Sequence, residues 1–215
     1  MGPGDWIPTS GKFQHEGGGL EWDDLENTAF DRIITSVHDF CLFMRDLFVP
    51  DDAILVPPES GWEAISATSF AKLNKSDTVI ETLRHMTFIK RHALGGGYQI
   101  LPDSGLCDWR DANVLKTITE GDPEDIRSTT ETLEPAPPDV VGLCEGGRTR
   151  GVFERIKTKF RNMEQLPHND HEVKSAEEDS DKDMDILREV YSRHGWPEDY
   201  KKADCLAEVE EKKIF

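Results

Sequence analysis

Between about Thr28 and Phe48, apolar residues recur at intervals of three and four. Phe30, Ile33, Ile34, Val37, Cys41, Met44 and Phe48 make one stripe, and Asp31, Arg32, Asp39, Arg45 and Asp46 fall largely on other faces. That spacing predicts an amphipathic core helix, stopped by Pro50. A second helix is predicted from Thr78 and Glu81 at capping-box spacing, through Val79, Ile80, Leu83, Met86 and Ile89, with Lys90, Arg91 and His92 in its last turn and Gly95-Gly96-Gly97 ending it. Tyr98–Leu101 reads as a short strand. Asp108 is placed to cap a helix through Trp109, Val114, Leu115 and Ile118, and Asp139–Cys144 reads as a second strand buried on both faces. Val152, Phe153, Ile156, Phe160 and Met163 return to helical spacing. Two short helices, marked by Met184–Tyr191 and Tyr200–Val209, close the chain around the turn His194-Gly195-Trp196-Pro197. Helices outnumber strands, so the expected class is α+β, a mainly helical single domain with a small β-sheet.

The polar stretches set the expected organisation. Residues 1–20, rich in glycine and proline, read as a flexible N-terminal arm, with no basic segment leading into an apolar one. Residues 167–183 are acidic and aperiodic and read as a linker or loop, leaving 21–166 and 184–215 as one globular domain. Trp6 stands where a myristoylation pattern needs Ser or Thr, and no long apolar run predicts a membrane span. Cys41, Cys107, Cys144 and Cys205 form no CxxC pair, which fits reduced thiols and a cytoplasmic location.

Charge changes the picture most. The 215 residues hold 25 Lys+Arg against 43 Asp+Glu, a net −18 that excludes a general nucleic-acid coat or a polybasic membrane binder. The distribution is uneven. Arg148, Arg150, Arg155, Lys157, Lys159 and Arg161 face only Glu154, so this stretch carries +5 and the remaining chain −23. Gly146 and Gly147 precede it, and glycines let backbone N–H groups approach an anion, so the island is a candidate contact for a phosphate or RNA backbone; the other reading is the polar face of an amphipathic helix.

Two further constellations stand out. Asp23, Asp24 and Glu26, with Glu21, precede the first helix, where carboxylates either complement the helix dipole or hold a cation such as a guanidinium. His168-Asn169-Asp170-His171-Glu172 has two imidazoles and two acids in zinc-like company, but HExxH order is absent and the stretch reads as a solvated loop. No metal site is assigned, no cofactor is implied, and no nucleotide-binding glycine pattern or GxSxG elbow occurs.

The ending from Val190 to Cys205, of the form HGWPxxYxKxxC, resembles the tail of small filamentous-fungal proteins of unassigned function. Ser60-Gly61-Trp62-Glu63, Lys75–Val79, Leu83-Arg84-His85 and Pro138–Leu143 with Gly146-Gly147-Arg148 fit the same pattern. Within such families the chain resembles the arginine-containing cyclodipeptide synthases, whose DDxxE motif Asp23-Asp24-Leu25-Glu26 approaches with one residue fewer. The resemblance implies aminoacyl-tRNA-dependent acyl transfer forming a diketopiperazine in fungal secondary metabolism. Asp23, Asp24 and Glu26 would then bind the arginine, and Arg148, Arg150, Arg155, Lys157, Lys159 and Arg161 would meet arginyl-tRNA; the catalytic base is not identified. The alternative expectation is a non-catalytic acidic interaction module that meets a basic protein partner through exposed Trp62 or Trp196 and the acidic tail.

Overall fold

A computed structural model of the chain describes residues 22–92, 97–122, 124–125, 136–144, 153–177 and 181–212. Chain order begins with helix α1 (Trp22–Leu47), a 3-10 turn at Asp51–Ala53, strand β1 (Ile54–Leu55), a second 3-10 turn at Ala71–Leu73, α2 (Asp77–Arg84) and β2 (Phe88–Ile89). It continues through β3 (Gln99–Leu101), β4 (Ser104–Gly105), α3 (Ala112–Thr119), α4 (Phe153–Arg161), β5 (Gln165–Pro167), β6 (Val173–Ser175), α5 (Asp181–Arg193) and α6 (Lys202–Lys212). The strands pair as three two-stranded antiparallel sheets, β1–β2, β3–β4 and β5–β6. The class is α+β, as the sequence pattern implies, with three small ribbons in place of one sheet.

The α1 stripe is buried from Val37 onward. Phe40, Cys41, Met44 and Leu47 are enclosed completely, whereas Ile33 is 43% exposed. Around this stripe Leu83, Ile100, Trp109, Ile118, Phe160, Leu187 and Tyr191 join one hydrophobic cluster, and burying each such large side chain contributes on the order of 2 kcal/mol.

The HGWPxxYxKxxC tail fastens the end of α1. A helix leaves its last carbonyls without intrahelical donors. Here the Tyr200 hydroxyl donates to the Leu47 carbonyl at 3.1 Å, and the Lys202 ammonium donates to those of Arg45 (2.5 Å) and Val49 (2.8 Å). The Trp196 indole donates to the Phe160 carbonyl at 3.0 Å, and Gly195 (φ +83°) makes the turn, since a Cβ there would lie 2.1 Å from the Asp199 carbonyl oxygen. Burial holds the Lys202 ammonium below the usual lysine range, and Cys205 is pushed up to about 11 chiefly by the same cause. Trp196, Tyr200 and Lys202 of this tail thus have packing roles.

Several local expectations are corrected. α1 begins at Trp22, so Asp23, Asp24 and Glu26 lie within its first turns and do not precede it. α2 is capped by Ser76, whose Oγ accepts from the Val79 amide, not by Thr78. It ends at Arg84, because Phe88 and Ile89 leave to pair with Leu55 and Ile54. The α3 cap is Asp111, which accepts from the amides of Asn113 and Val114, while Asp108 turns into the core. Residues 139–144 form no strand. Val140 is exposed, and only Cys144 bridges, to Leu106. Among the described residues of 167–183, read as a linker or loop, Pro167 and Val173–Ser175 belong to the β5–β6 hairpin, and Gln165, the first residue of β5, is buried with its amide donating to the Ile100 carbonyl at 3.1 Å. Residues 1–20, read as a flexible arm, and the Gly146-Gly147 break lie outside the described residues.

Candidate functional site

Where the chain passes residues 60–67 and returns as α2, it leaves an open cleft of about 480 Å³. Ser76 starts α2 at one end. At the other, Gly61 (φ +74°) lets the preceding turn approach closely, since a Cβ there would meet the Arg84 carbonyl oxygen at 3.0 Å, and the Trp62 amide donates to that same carbonyl at 2.8 Å. Ser66 and Ser69 brace the loop, the Ser69 hydroxyl lying 2.9 Å from both the Ala64 carbonyl and the Ser66 amide.

The cleft is lined by Ile65, Ala67 and Ile80 and carries Glu63, Asp77, Glu81 and Arg84. Glu81 divides its carboxylate between Arg84 Nη1 and His85 Nε2, both at 2.9 Å, and Arg84 Nη2 donates to the Ser60 carbonyl at 2.8 Å. Glu63 and Asp77 are exposed and make no ion pair among the described residues. The cleft therefore presents two uncommitted carboxylates beside an apolar wall, with its one cation already engaged. A guanidinium or ammonium on an aliphatic stem is the group that such a surface suits.

The residues singled out from sequence lie elsewhere. Asp23, Asp24 and Glu26 are on the α1 backbone near its start. Arg148 and Arg150 are outside the described residues. Arg155, Lys157, Lys159 and Arg161 sit on α4, and three of these turn to internal partners. Lys157 is only 7% exposed and donates to Glu154 at 2.7 Å, a bond that holds the Glu154 carboxyl below its ordinary value. Lys159 donates to Glu177 at 3.1 Å, and the Arg161 guanidinium lies 5.3 Å from the Phe43 ring centroid. The expected interaction surface at Trp62 and Trp196 is corrected as well. Trp196 is 8% exposed, and Trp62 is half-buried, its indole donating to the Met86 carbonyl and its ring 4.9 Å from the Arg110 guanidinium.

The cysteines offer no nucleophile. All four are buried, and burial pushes the Cys41 thiol up to about 12. His168-Asn169-Asp170-His171-Glu172 is the tight turn of the β5–β6 hairpin, closed by the His168 amide donating to the Glu172 carbonyl at 3.1 Å. Its partner His92 stands outside that motif, since the sequence spacing predicts the last turn of a helix there. Burial raises the Asp170 carboxyl, but hydrogen bonding from His171 and His92 more than offsets this and holds it below its ordinary value.

No helix among the described residues is long and apolar enough to cross a membrane. No protein-family model, curated protein or solved structure matches the chain, so the functional reading rests on its own residues.

Proposed function

We propose that the chain is a non-catalytic binding module that takes an arginine-bearing segment of a basic partner protein into the cleft between residues 63–67 and α2. The observation that carries this reading is the pair Glu63 and Asp77, exposed and without an ion-pair partner, beside Ile65, Ala67 and Ile80. The net charge of −18 supports it by drawing a basic partner in from a distance. An exposed ion pair contributes only about 0.2–1 kcal/mol, so free arginine binds weakly and a segment with several contacts binds better.

The test is a fluorescence-anisotropy titration with a labelled arginine-rich peptide. Binding should saturate at one peptide per chain, weaken as salt is added, and fall by at least about tenfold in the variant Glu63→Lys/Asp77→Lys. Binding that ignores this double variant would refute the assignment.

The same two carboxylates suit the arginyl group of a charged tRNA, which supports a second reading: aminoacyl-tRNA-dependent formation of an arginine-containing cyclodipeptide. Incubation with an arginyl-tRNA generating system, followed by mass spectrometry, separates the two. Cyclic arginyl dipeptides lost on Glu63→Lys/Asp77→Lys would favour the enzyme, and their absence beside saturable peptide binding would favour the module.

A further inference from the structure

The hairpin turn 168–172 is fastened to the strand that follows His92. The Gln99 amide donates to the His171 carbonyl at 2.7 Å, and the Gln99 side-chain oxygen accepts from the Val173 amide at 2.9 Å. These bonds bring His92 to the turn although 78 residues separate it from Asp170. The two imidazoles, His92 and His171, stack with centroids 4.3 Å apart and planes 7° from parallel, and the edge-on Tyr98 ring, 5.4 Å away, confines His92.

Asp170 lies across both rings. One carboxylate oxygen is 3.2 Å from His92 Nε2 and the other 2.6 Å from His171 Nδ1. One donor atom from each of the three residues lies within 4.8 Å of the other two.

We propose that His92, Asp170 and His171 form a binding site for a divalent transition-metal ion of the Zn²⁺ class. The donor set, two imidazoles and one carboxylate, is of the kind that Zn²⁺ and its neighbours accept and that Mg²⁺ and Ca²⁺, which favour all-oxygen shells, do not. In a tetrahedral zinc site the donors stand about 3.3 Å apart, from metal–ligand distances of roughly 2.0–2.1 Å. The Asp170 oxygens already lie 3.2 and 2.6 Å from the two imidazole nitrogens, and the three donor atoms lie within 4.8 Å of one another. Asp170 lies on an exposed turn, and His171 rides on a backbone fixed by Asn169, whose Oδ1 accepts from the amides of His171 (2.9 Å) and Glu172 (2.7 Å).

An outer carboxylate is also present. Glu172 Oε1 lies 3.9 Å from His171 Nε2, and Glu172 Oε2 is held by the Asn169 amide at 2.6 Å. A carboxylate on the side of the non-ligating nitrogen orients a metal-bound imidazole when it comes within hydrogen-bond reach, which 3.9 Å exceeds. Three protein ligands leave a fourth position to solvent, which makes the ion exchangeable.

The test is titration of the metal-free full chain with Co²⁺, followed by optical spectroscopy, and with Zn²⁺ by calorimetry. One ion per chain is expected, with the visible d–d bands of four-coordinate Co²⁺ and no thiolate charge-transfer band. Zn²⁺ should displace Co²⁺, whereas Mg²⁺ and Ca²⁺ should not. Asp170→Ala, on the exposed turn, and His171→Ala should each weaken Zn²⁺ binding by at least about tenfold with an unchanged far-UV circular-dichroism spectrum, and His194→Ala should leave it unaltered. Absence of saturable binding, a thiolate charge-transfer band, or equal affinity in Asp170→Ala and His171→Ala would overturn the proposal.

Discussion

Asp108 is a carboxylate that folding places in the core, and its protonation should register directly in stability. The side chain is 2% exposed. Its Oδ1 accepts from the Arg110 amide at 3.2 Å, and the Arg110 Nε, also 3.2 Å away, is out of line for a hydrogen bond. Burial dominates the attraction of that guanidinium and raises the carboxyl from 3.8 to about 6. The folded state therefore holds this proton more tightly than the unfolded chain. The stabilisation is complete below about pH 3.8 and is lost as pH rises to about 6. At about 1.4 kcal/mol per pH unit, the loss sums to about 3 kcal/mol. Asp108→Asn keeps the shape and removes the titration. Urea unfolding of both proteins between pH 4 and 7.5 cancels the contribution of the other carboxylates. The wild-type protein should lose about 2.4 kcal/mol relative to the variant on going up that range, most of the full loss. A stability difference that stays flat with pH, or that grows in the opposite direction, would show that folding does not raise the Asp108 carboxyl.

Other predictions address the tail, the turn and the thiols. Lys202→Met, which removes the ammonium from the carbonyls of Arg45 and Val49, should cost about 2–4 kcal/mol in denaturant unfolding, from two charge-assisted hydrogen bonds. Gly195→Ala forces a positive φ on an L side chain and a Cβ against the Asp199 carbonyl, so it should lower stability by at least about 2 kcal/mol, whereas a surface control such as Ala203→Ser should change it by less than about 0.5 kcal/mol. With Cys41 near 12 and Cys205 near 11, Ellman's reagent should label these thiols slowly in the native protein and all four rapidly in denaturant. Fast native labelling would contradict their burial.

The parts of the fold legible in the sequence are those with a long period. The α1 stripe shows because its apolar residues repeat over about six turns, and its first turns are missed because Asp23, Asp24 and Glu26 carry no apolar signal. The end of α2 is misplaced because Met86 and Ile89 continue a helical spacing by coincidence, while Phe88 and Ile89 are claimed by the tertiary pairing with β1. The β5–β6 hairpin escapes notice because its strands have three residues each and include Gln165, Lys174 and Ser175. The site is harder still to read. Glu63 and Asp77 are ordinary surface acids until the turn at Gly61 brings the loop against α2. Two of the three residues of the histidine cluster, Asp170 and His171, stand in a sequence motif, but His92 joins them through tertiary contacts that spacing does not show. Within the basic island, sequence gives charge but not direction, and the inward turn of Lys157 follows from its place beside Ile156 and Phe160 on α4.

The proposed binding surface for an arginine-bearing segment is the 63–67 loop with α2. The most direct measurement is an amide chemical-shift titration of the ¹⁵N-labelled chain with an arginine-rich peptide. Shifts should concentrate at Glu63–Ala67 and Asp77–His85 and be lost in Glu63→Lys/Asp77→Lys. Shifts centred instead on Asp23–Glu26, or a spectrum that does not move at saturating peptide, would contradict it.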